Sequence, residues 1–230
     1  MDSPPLTAYT PRITVTACGR EWHLERAHNL EELWDAMTED PTNFEDERLP
    51  YWTELWPSSV ALCGWLEARK EDIRGRRCLD LGCGLGLTAM AGQWLGANVL
   101  AMDYEKDALH FARRNAEENQ VRQPLWAVMD WRAPAVRAGS IDVLWGGDIM
   151  YETRFVAPVL QFLDHALAPD GRAWVAEPGR SVYDAFRTGM HQRGWDGRRV
   201  FTRKVEALYA QPVPVTVQIW ELTRRHAGGR

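Results

Sequence analysis

The chain has 230 residues, of which 45% are hydrophobic and 26% charged, and its formal net charge is −5. This composition is that of a soluble globular protein, and it excludes a disordered chain and a membrane-embedded one, because no apolar run approaches the roughly 18 residues that span a bilayer. The net negative charge argues against a large polyanion such as nucleic acid as the obligate partner.

The N-terminus and the cysteines indicate the compartment. Residues 1–5, Met-Asp-Ser-Pro-Pro, have neither the basic nor the apolar segment of a signal peptide. The four cysteines form no Cys-x-x-Cys pair and no zinc pattern with histidine, so we expect Cys18, Cys63, Cys78 and Cys83 to be reduced and mostly buried. We therefore predict a cytoplasmic protein with no metal site and no membrane association.

The N-terminal part is predicted to form a small extension, residues 1–47, that precedes a main domain of residues 48–230. Ile13–Thr16 and Glu21–Leu24 flank a Cys-Gly turn, which is typical of a β-hairpin. Leu30–Met37 has its apolar residues on one helical face and predicts a short amphipathic helix.

From residue 78 onward, short apolar runs alternate with helical stretches. The strand-like runs are Cys78–Leu81, Val99–Met102, Leu125–Met129, Ile141–Trp145 and Ala173–Ala176, and the helical stretches are Leu87–Leu95, Asp107–Asn119, Phe155–Leu167 and Val182–Arg193. This alternation predicts a parallel sheet with helices on both faces. Arg199–Val205 and Thr216–Leu222 have no helix pattern between them and predict an antiparallel pair. The predicted fold is therefore α/β: a doubly wound, mostly parallel, seven-stranded, Rossmann-like sheet with a C-terminal antiparallel hairpin.

The first strand of this sheet runs into a glycine-rich turn that contains Asp80, Gly82, Gly84 and Gly86. Ligands of doubly wound sheets bind at the carboxyl ends of the strands, and glycines there let a ligand approach the main chain. The dinucleotide fingerprint requires a glycine where Leu87 stands, and no Gly-Lys-Ser/Thr of a Walker loop follows. The turn therefore disfavours both a dinucleotide and a nucleotide phosphate.

Acidic residues end the next two strands. Asp103 ends the second strand, where a carboxylate can accept hydrogen bonds from both hydroxyls of a ribose. That contact also suits NAD, so Asp103 alone does not discriminate between nucleosides. Asp130 and Trp131 end the third strand, where the carboxylate can accept from an adenine amine and the indole can cover the ring; the alternative for Trp131 is a hydrophobic plug.

These motifs resemble the class I, seven-β-strand S-adenosylmethionine-dependent methyltransferases over roughly residues 48–222. The resemblance implies S-adenosylmethionine as the cofactor. It also implies that the glycine turn contacts the methionine moiety and that Asp103 contacts the ribose.

A narrower resemblance is to the protein-lysine methyltransferase group, and within it to bacterial relatives of the electron-transfer flavoprotein β-subunit lysine methyltransferase. Its motifs here are a Trp-Pro segment that includes Trp56, the acidic-x-x-Tyr motif Asp148-Ile-Met-Tyr151, and Glu177-Pro-Gly-Arg180. Glu177 departs from the aspartate of the group. The resemblance implies that the Trp-Pro segment lies across the cofactor and that the substrate is a protein that presents lysine.

Methylation of lysine requires a neutral amine, although the unperturbed pKa of lysine is about 10.4. A partly desolvated channel favours the neutral form, and a carboxylate at its mouth can orient the amine. We expect Asp148 to orient the acceptor and Tyr151 to shape the channel, since residues at i and i+3 face the same way in a helical turn. The alternative for Asp148 is a helix N-cap.

Further residues are expected near the acceptor channel. Tyr51, Trp52 and Trp56 could wall the channel, where an aromatic face suits a methylated ammonium, or could simply pack as a lid. Glu54 and Glu177 are weaker candidates for the channel and also fit structural positions or positions next to the cofactor. Arg180 is a further candidate for the substrate channel.

Three other functions are compatible with parts of the pattern. A nucleic-acid amino-methyltransferase would have two prolines where Ile149 and Met150 stand. A small-molecule N-methyltransferase of the same fold is the main alternative and would need a closed apolar acceptor pocket. A non-catalytic nucleoside-binding protein would not need both the cofactor residues and the Asp148–Tyr151 pair.

Overall fold

The computed structural model describes residues 8–39 and 49–225. The boundary predicted between an extension and a main domain, at residues 47 and 48, lies outside the described residues. Within them, no helix is both long enough and apolar enough to cross a bilayer.

The N-terminal elements are a hairpin and a helix, as predicted. Strands β1 (Arg12–Ala17) and β2 (Arg20–Glu25) pair antiparallel. Helix α1 (Leu30–Thr38) begins after Asn29, whose side chain accepts hydrogen bonds from the backbone amides of Glu31 and Glu32. The turn between the strands contains Cys18 and Gly19, both with positive φ.

The main sheet has seven strands connected mostly by helices. In chain order after α1 the elements are α2 (Pro57–Ala68), α3 (Lys70–Ile73), β3 (Arg77–Leu81), α4 (Leu87–Trp94), β4 (Asn98–Asp103), α5 (Lys106–Glu118), β5 (Leu125–Val128), β6 (Ile141–Gly147), α6 (Val156–Ala166), β7 (Leu167–Glu177), α7 (Val182–Gln192), β8 (Trp195–Val205) and β9 (Val215–Arg224). Short 3₁₀ turns span Tyr51–Thr53 and Thr153–Phe155.

The strand order across this sheet is β5-β4-β3-β6-β7-β9-β8. Strands β3 to β7 run parallel, and β9 pairs antiparallel with both β7 and β8. The predicted doubly wound sheet with a C-terminal antiparallel pair is therefore confirmed. The chain reverses its direction of winding between β3 and β6, so the switch point lies where their carboxyl ends separate.

Alternating side chains of the central strands enter two hydrophobic layers. Trp145 of β6 and Trp174 of β7 are fully buried on the face that α2 and α4 cover, and Trp65 of α2 packs edge-on against Trp174 at 5.7 Å between ring centroids. Leu144 and Val175 point to the opposite face, into the layer formed with α6 and α7. Both faces are thus covered, as a parallel sheet requires.

The N-terminal hairpin is fixed to the main sheet by two buried asparagines of α5 and its C-terminal cap. Asn115 accepts from the backbone amide of Glu25 at 2.7 Å and donates to the carbonyl oxygens of Glu25 and Leu85. Asn119 likewise accepts from the backbone amide of His23 and donates to its carbonyl oxygen. The hairpin therefore packs behind the glycine turn and supports it.

Candidate active site

A cavity of about 760 Å³ opens at the carboxyl ends of β3, β4 and β6. This is the position at which doubly wound sheets bind ligands, and the volume is typical of a small-molecule site. The structure brings most of the residues predicted from sequence to its wall: Tyr51, Trp52, Glu54, Trp56, Gly82, Gly84, Asp103, Asp130, Trp131, Asp148, Tyr151 and Arg180. Asp80, Gly86 and Glu177 do not line it.

The glycine turn presents bare main chain to the cavity. Gly82 and Gly84 have φ values of 68° and 49°, in the left-handed region that side chains disfavour. A Cβ on Gly84 would lie 3.1 Å from the backbone carbonyl oxygen of Trp52. The segment that contains Trp52 therefore crosses close over the turn, and a side chain at position 84 would push it away.

Two members of the motif support the turn from beneath. A Cβ on Gly86 would lie 2.8 Å from Cβ of Ala112, so this glycine allows α5 to pack against the turn. The buried carboxylate of Asp80 accepts a hydrogen bond from Oγ1 of Thr88 at 2.7 Å. Burial raises the pKa of Asp80 to about 7, and the Thr88 hydrogen bond opposes that rise.

Asp103 joins the turn to the end of β4. Its Oδ2 accepts from the amide of Gly84 at 2.8 Å and its Oδ1 from the amide of Glu105 at 3.0 Å. Burial raises the pKa of Asp103 to about 6, against the lowering effect of these two amides. The carboxylate is thus fixed in orientation beside the glycines that face the cavity.

The end of the third strand carries an acid, Asp130, and an aromatic ring, Trp131. Both oxygens of Asp130 accept from Nε of Arg132, at 2.8 and 3.0 Å. Trp131 packs edge-on against Phe155, with 5.3 Å between ring centroids. Both features lie at the wall of the cavity on the side of Asp103.

Aromatic rings form one continuous wall of the cavity. Tyr51 lies 5.9 Å from Trp56 and 5.4 Å from Tyr151, which in turn lies 4.9 Å from Phe155, measured between ring centroids. The indole nitrogen of Trp56 donates to the carbonyl oxygen of Tyr51 at 2.9 Å and fixes the Trp-Pro segment. Burial raises the pKa of Tyr151, with Glu152 adding to the effect, so its phenol stays neutral.

Asp148 follows β6 in a left-handed conformation, with φ of 54°. Its amide donates to the carbonyl oxygen of Ala176 at 3.0 Å, and its Oδ1 accepts from Nε of Arg180 at 3.2 Å. Burial raises the pKa of Asp148, while Arg180 and Ser58 lower it. This left-handed region is uncommon for a residue other than glycine, although aspartate adopts it more often than most.

The segment after Asp148 is not the helical turn that the i, i+3 argument assumes, because the next helical residues are Thr153–Phe155. Asp148 and Tyr151 nevertheless both line the cavity. The N-cap alternative for Asp148 gains no support, because the N-cap position of that turn is Glu152 and it has no side-chain cap.

Glu54 and Glu177 serve the framework of the site. Glu54 pairs with Nη1 of Arg26 at 2.7 Å, with side chains only 9% and 2% exposed respectively. This buried ion pair ties the hairpin to the Trp-Pro segment. Glu177 accepts from the amide of Gly179 and from the indole nitrogen of Trp220, and it braces the turn that leads to Arg180.

Some wall residues were not predicted from sequence. Tyr104 and Arg132 directly follow predicted site residues, so their position next to the strand ends was an available signal. Phe155 and Gln211 are different, because they come from a helix start and from the loop between β8 and β9. Only the tertiary fold brings them to the site.

The described residues contain no cluster of histidine, cysteine and acidic side chains with the geometry of a metal site. The four cysteines are buried and form no disulfide. The side chains that line the cavity include carboxylates, aromatic rings and arginines.

Comparison with known proteins identifies relatives of this chain. A family model described as lysine methyltransferase matches residues 44–186. The chain is 35% identical over 130 residues to protein N-lysine methyltransferase METTL21A of Danio rerio, which covers 54% of this chain and 59% of that protein. It is 30% identical over 148 residues to the electron transfer flavoprotein beta subunit lysine methyltransferase of Xenopus laevis, with 62% and 58% covered. The chain thus spans a little more than half the length of these relatives.

A solved structure shows the same fold. The T. thermophilus 16S rRNA N2 G1207 methyltransferase (RsmC), in complex with AdoMet and guanosine, superposes with a TM-score of 0.62. It is 15% identical, and the match covers 96% of this chain and 52% of that chain. At this identity the likeness concerns the fold alone.

Proposed function

The chain belongs to the lysine methyltransferase family, and on that premise we propose that it transfers a methyl group from S-adenosylmethionine to a lysine side chain of a protein. The observation that carries the proposal is the position of Asp148. Asp148 lines the same cavity as the glycine turn, Asp103 and the aromatic rings.

The residues of the cavity fit S-adenosylmethionine. The main chain at Gly82 and Gly84 lines the cavity, and the fixed carboxylate of Asp103 can accept from ribose hydroxyls. The arginines that line the cavity, Arg132, Arg154 and Arg180, each already contact a carboxylate of the described residues. The glycine turn itself carries no basic side chain, which suits an unphosphorylated, cationic ligand better than a pyrophosphate.

When bound, S-adenosylmethionine supplies an electrophilic methyl group on a sulfonium, which an amine attacks in line. No oxyanion develops, so the protein needs no set of donors for one. The main contribution of the chain is to hold the two reactants in a near-attack arrangement, and such positioning supplies much of the rate enhancement. We assign Gly84 and Asp103 to the cofactor, and Asp148 and Tyr151 to the acceptor.

The acceptor side must bind lysine in its neutral form. The rings of Tyr51, Tyr151 and Trp56 pack against one another in this wall, and an amine that is desolvated beside them loses its proton more readily. The guanidinium of Arg180, next to Asp148, adds a positive charge that further disfavours an ammonium in the ground state. As positive charge builds on the nitrogen, the Asp148 carboxylate stabilises it and orients the remaining N–H bonds.

A labelling experiment tests the proposal. The purified protein is incubated with S-adenosylmethionine that carries a labelled methyl group and with an extract of its source cells, and the labelled species is identified by mass. We expect a labelled protein in which the methyl group is on a lysine. Label confined to the small-molecule fraction would support a small-molecule N-methyltransferase instead, and label in nucleic acid would likewise contradict the proposal.

A further inference from the structure

Two buried oxygens at the base of the acceptor side have no hydrogen-bond partner. Within the part of the chain that the structure describes, Oδ2 of Asp148 and Oγ of Ser58 are both sealed from solvent and both unsatisfied. A buried polar atom without a partner is destabilising, so native proteins retain few of them without a reason. Ser58 is fully buried, and it directly follows Trp56 and Pro57 in the Trp-Pro segment.

The fold places Ser58 directly behind Asp148. A Cβ on Gly147, which precedes Asp148, would lie 3.3 Å from Cβ of Ser58 and 3.2 Å from Cδ1 of Leu62. Glycine at this position therefore lets the end of β6 lie against the first turn of α2. The contact brings the residue after Gly147, which is Asp148, close to the N-terminus of that helix.

The N-terminus of α2 has no cap of its own. Trp56 at the N-cap position makes no side-chain cap, and the first turn contains no acidic residue. The free amides of a helix N-terminus and its positive dipole end both favour an anion. The amide and the hydroxyl of Ser58 both lower the pKa of Asp148, as hydrogen-bond donors beside a carboxylate do.

The two oxygens of Asp148 consequently differ. Oδ1 is bonded to Arg180, whose side chain lines the cavity, and Oδ2 is sealed on the inner side. We propose that Ser58 is a positioning residue for Asp148: its hydroxyl and the N-terminus of α2 hold the inner carboxylate oxygen, so that the outer oxygen is presented to the acceptor amine. This inference rests on the proposed function and names a residue through which Asp148 acts.

Other charged groups also face Asp148 and must be considered in any titration. Arg180 lies on the turn after β7, and Tyr183 of α7 is fully buried with a pKa raised by burial and by both Glu177 and Asp148. Tyr183 stays neutral and does not titrate with Asp148. The unfavourable burial of the Asp148 carboxylate is therefore offset by Arg180 on one side and Ser58 on the other.

The test is the Ser58→Ala variant, with Ser140→Ala as the matched control. Ser140 lies directly before the opposite end of β6, so the control removes the same hydroxyl group away from the cavity. Because Ser58→Ala removes the proposed hydrogen bond to Asp148, its melting temperature should fall moderately, whereas that of Ser140→Ala should stay near the wild-type value. We expect S-adenosylmethionine binding, measured by calorimetry, to be unchanged in both variants.

The decisive readout is the carboxyl titration of Asp148, followed by NMR of protein labelled with ¹³C-aspartate and assigned by the loss of one signal in Asp148→Asn. We expect a higher pKa of Asp148 in Ser58→Ala than in the wild type and in Ser140→Ala. An unchanged titration would overturn the inference, and this outcome needs no acceptor protein, so it is independent of the proposed function.

Turnover provides the second readout. With an acceptor protein from the labelling experiment, kcat of Ser58→Ala should fall about tenfold, as expected for a lost hydrogen bond to a charged group. The acidic limb of its pH profile should move to higher pH, because the carboxylate then ionises later. A merely structural role would lower the melting temperature and leave the pH profile in place, which would also refute the inference.

Discussion

Substitution of Gly84 by alanine tests whether bare main chain in the glycine turn is required for cofactor binding. The left-handed conformation costs a side chain about 1–2 kcal/mol, partly offset by about 0.4–1 kcal/mol from the stiffer unfolded chain. The new Cβ would also meet the Trp52 carbonyl oxygen at 3.1 Å, so the backbone over the turn must move. Gly75 is the matched control, since its φ is 69° and a Cβ there has no neighbour within 4 Å.

We expect each of the two variants, Gly75→Ala and Gly84→Ala, to lose about 1 kcal/mol in the free energy of unfolding, measured in urea. Gly84→Ala should lose more than this, because its Cβ also meets Trp52. Calorimetric titration with S-adenosylmethionine should separate them clearly. Gly75→Ala should keep the wild-type Kd, whereas Gly84→Ala should raise it about tenfold or more, equivalent to about 1.4 kcal/mol. A wild-type Kd in Gly84→Ala would refute the placement of the cofactor against this turn.

Two further predictions concern charge. The pKa of Asp103 is raised to about 6, and the proposed contact with the ribose hydroxyls uses its ionised carboxylate. The affinity for S-adenosylmethionine, measured by calorimetry, should therefore fall about tenfold per pH unit below pH 6, and Asp103→Asn should remove this pH dependence. A wild-type Kd that stays constant from pH 7.5 to pH 5 would exclude the contact. Arg26→Met should leave Glu54 buried without its partner and lower the free energy of unfolding, measured in urea, by about 3–5 kcal/mol. The control is Arg12→Met, because the Arg12 side chain is 69% exposed in its ion pair, and this variant should lose less than about 1 kcal/mol. Equal losses would show that the buried ion pair has no special role in stability.

The sheet could be predicted from sequence because each strand and helix carries its own local pattern. The short apolar run of β3 and the amphipathic stretch of α5 are visible without any tertiary information. Helix α2 was missed because it is buried on nearly every side, so its apolar residues show no single helical face. Proline at its first position was the remaining signal for its start.

The candidate site was predictable where a residue directly ends a strand, as Asp103 and Asp148 do. It was not predictable where residues of one motif face different surroundings. Asp80 and Gly86 belong to the same motif as Gly84, but Asp80 faces Thr88 and Gly86 faces α5, so neither lines the cavity. The partner of Glu54 lies in the distant hairpin, and no local pattern encodes a pairing across that separation.

The most direct test of the account is methyl transfer by Asp148→Asn, with Asp142→Asn as the matched control. Asp142 lies on the same strand and makes a surface pair with Arg77 away from the cavity. Both variants should bind S-adenosylmethionine like the wild type. In the labelled extract, Asp142→Asn should methylate the same lysine at the wild-type rate, and Asp148→Asn should be slower by about 100-fold or more, a loss of about 2.7 kcal/mol in transition-state stabilisation. Equal rates in all three proteins would contradict the acceptor role of Asp148.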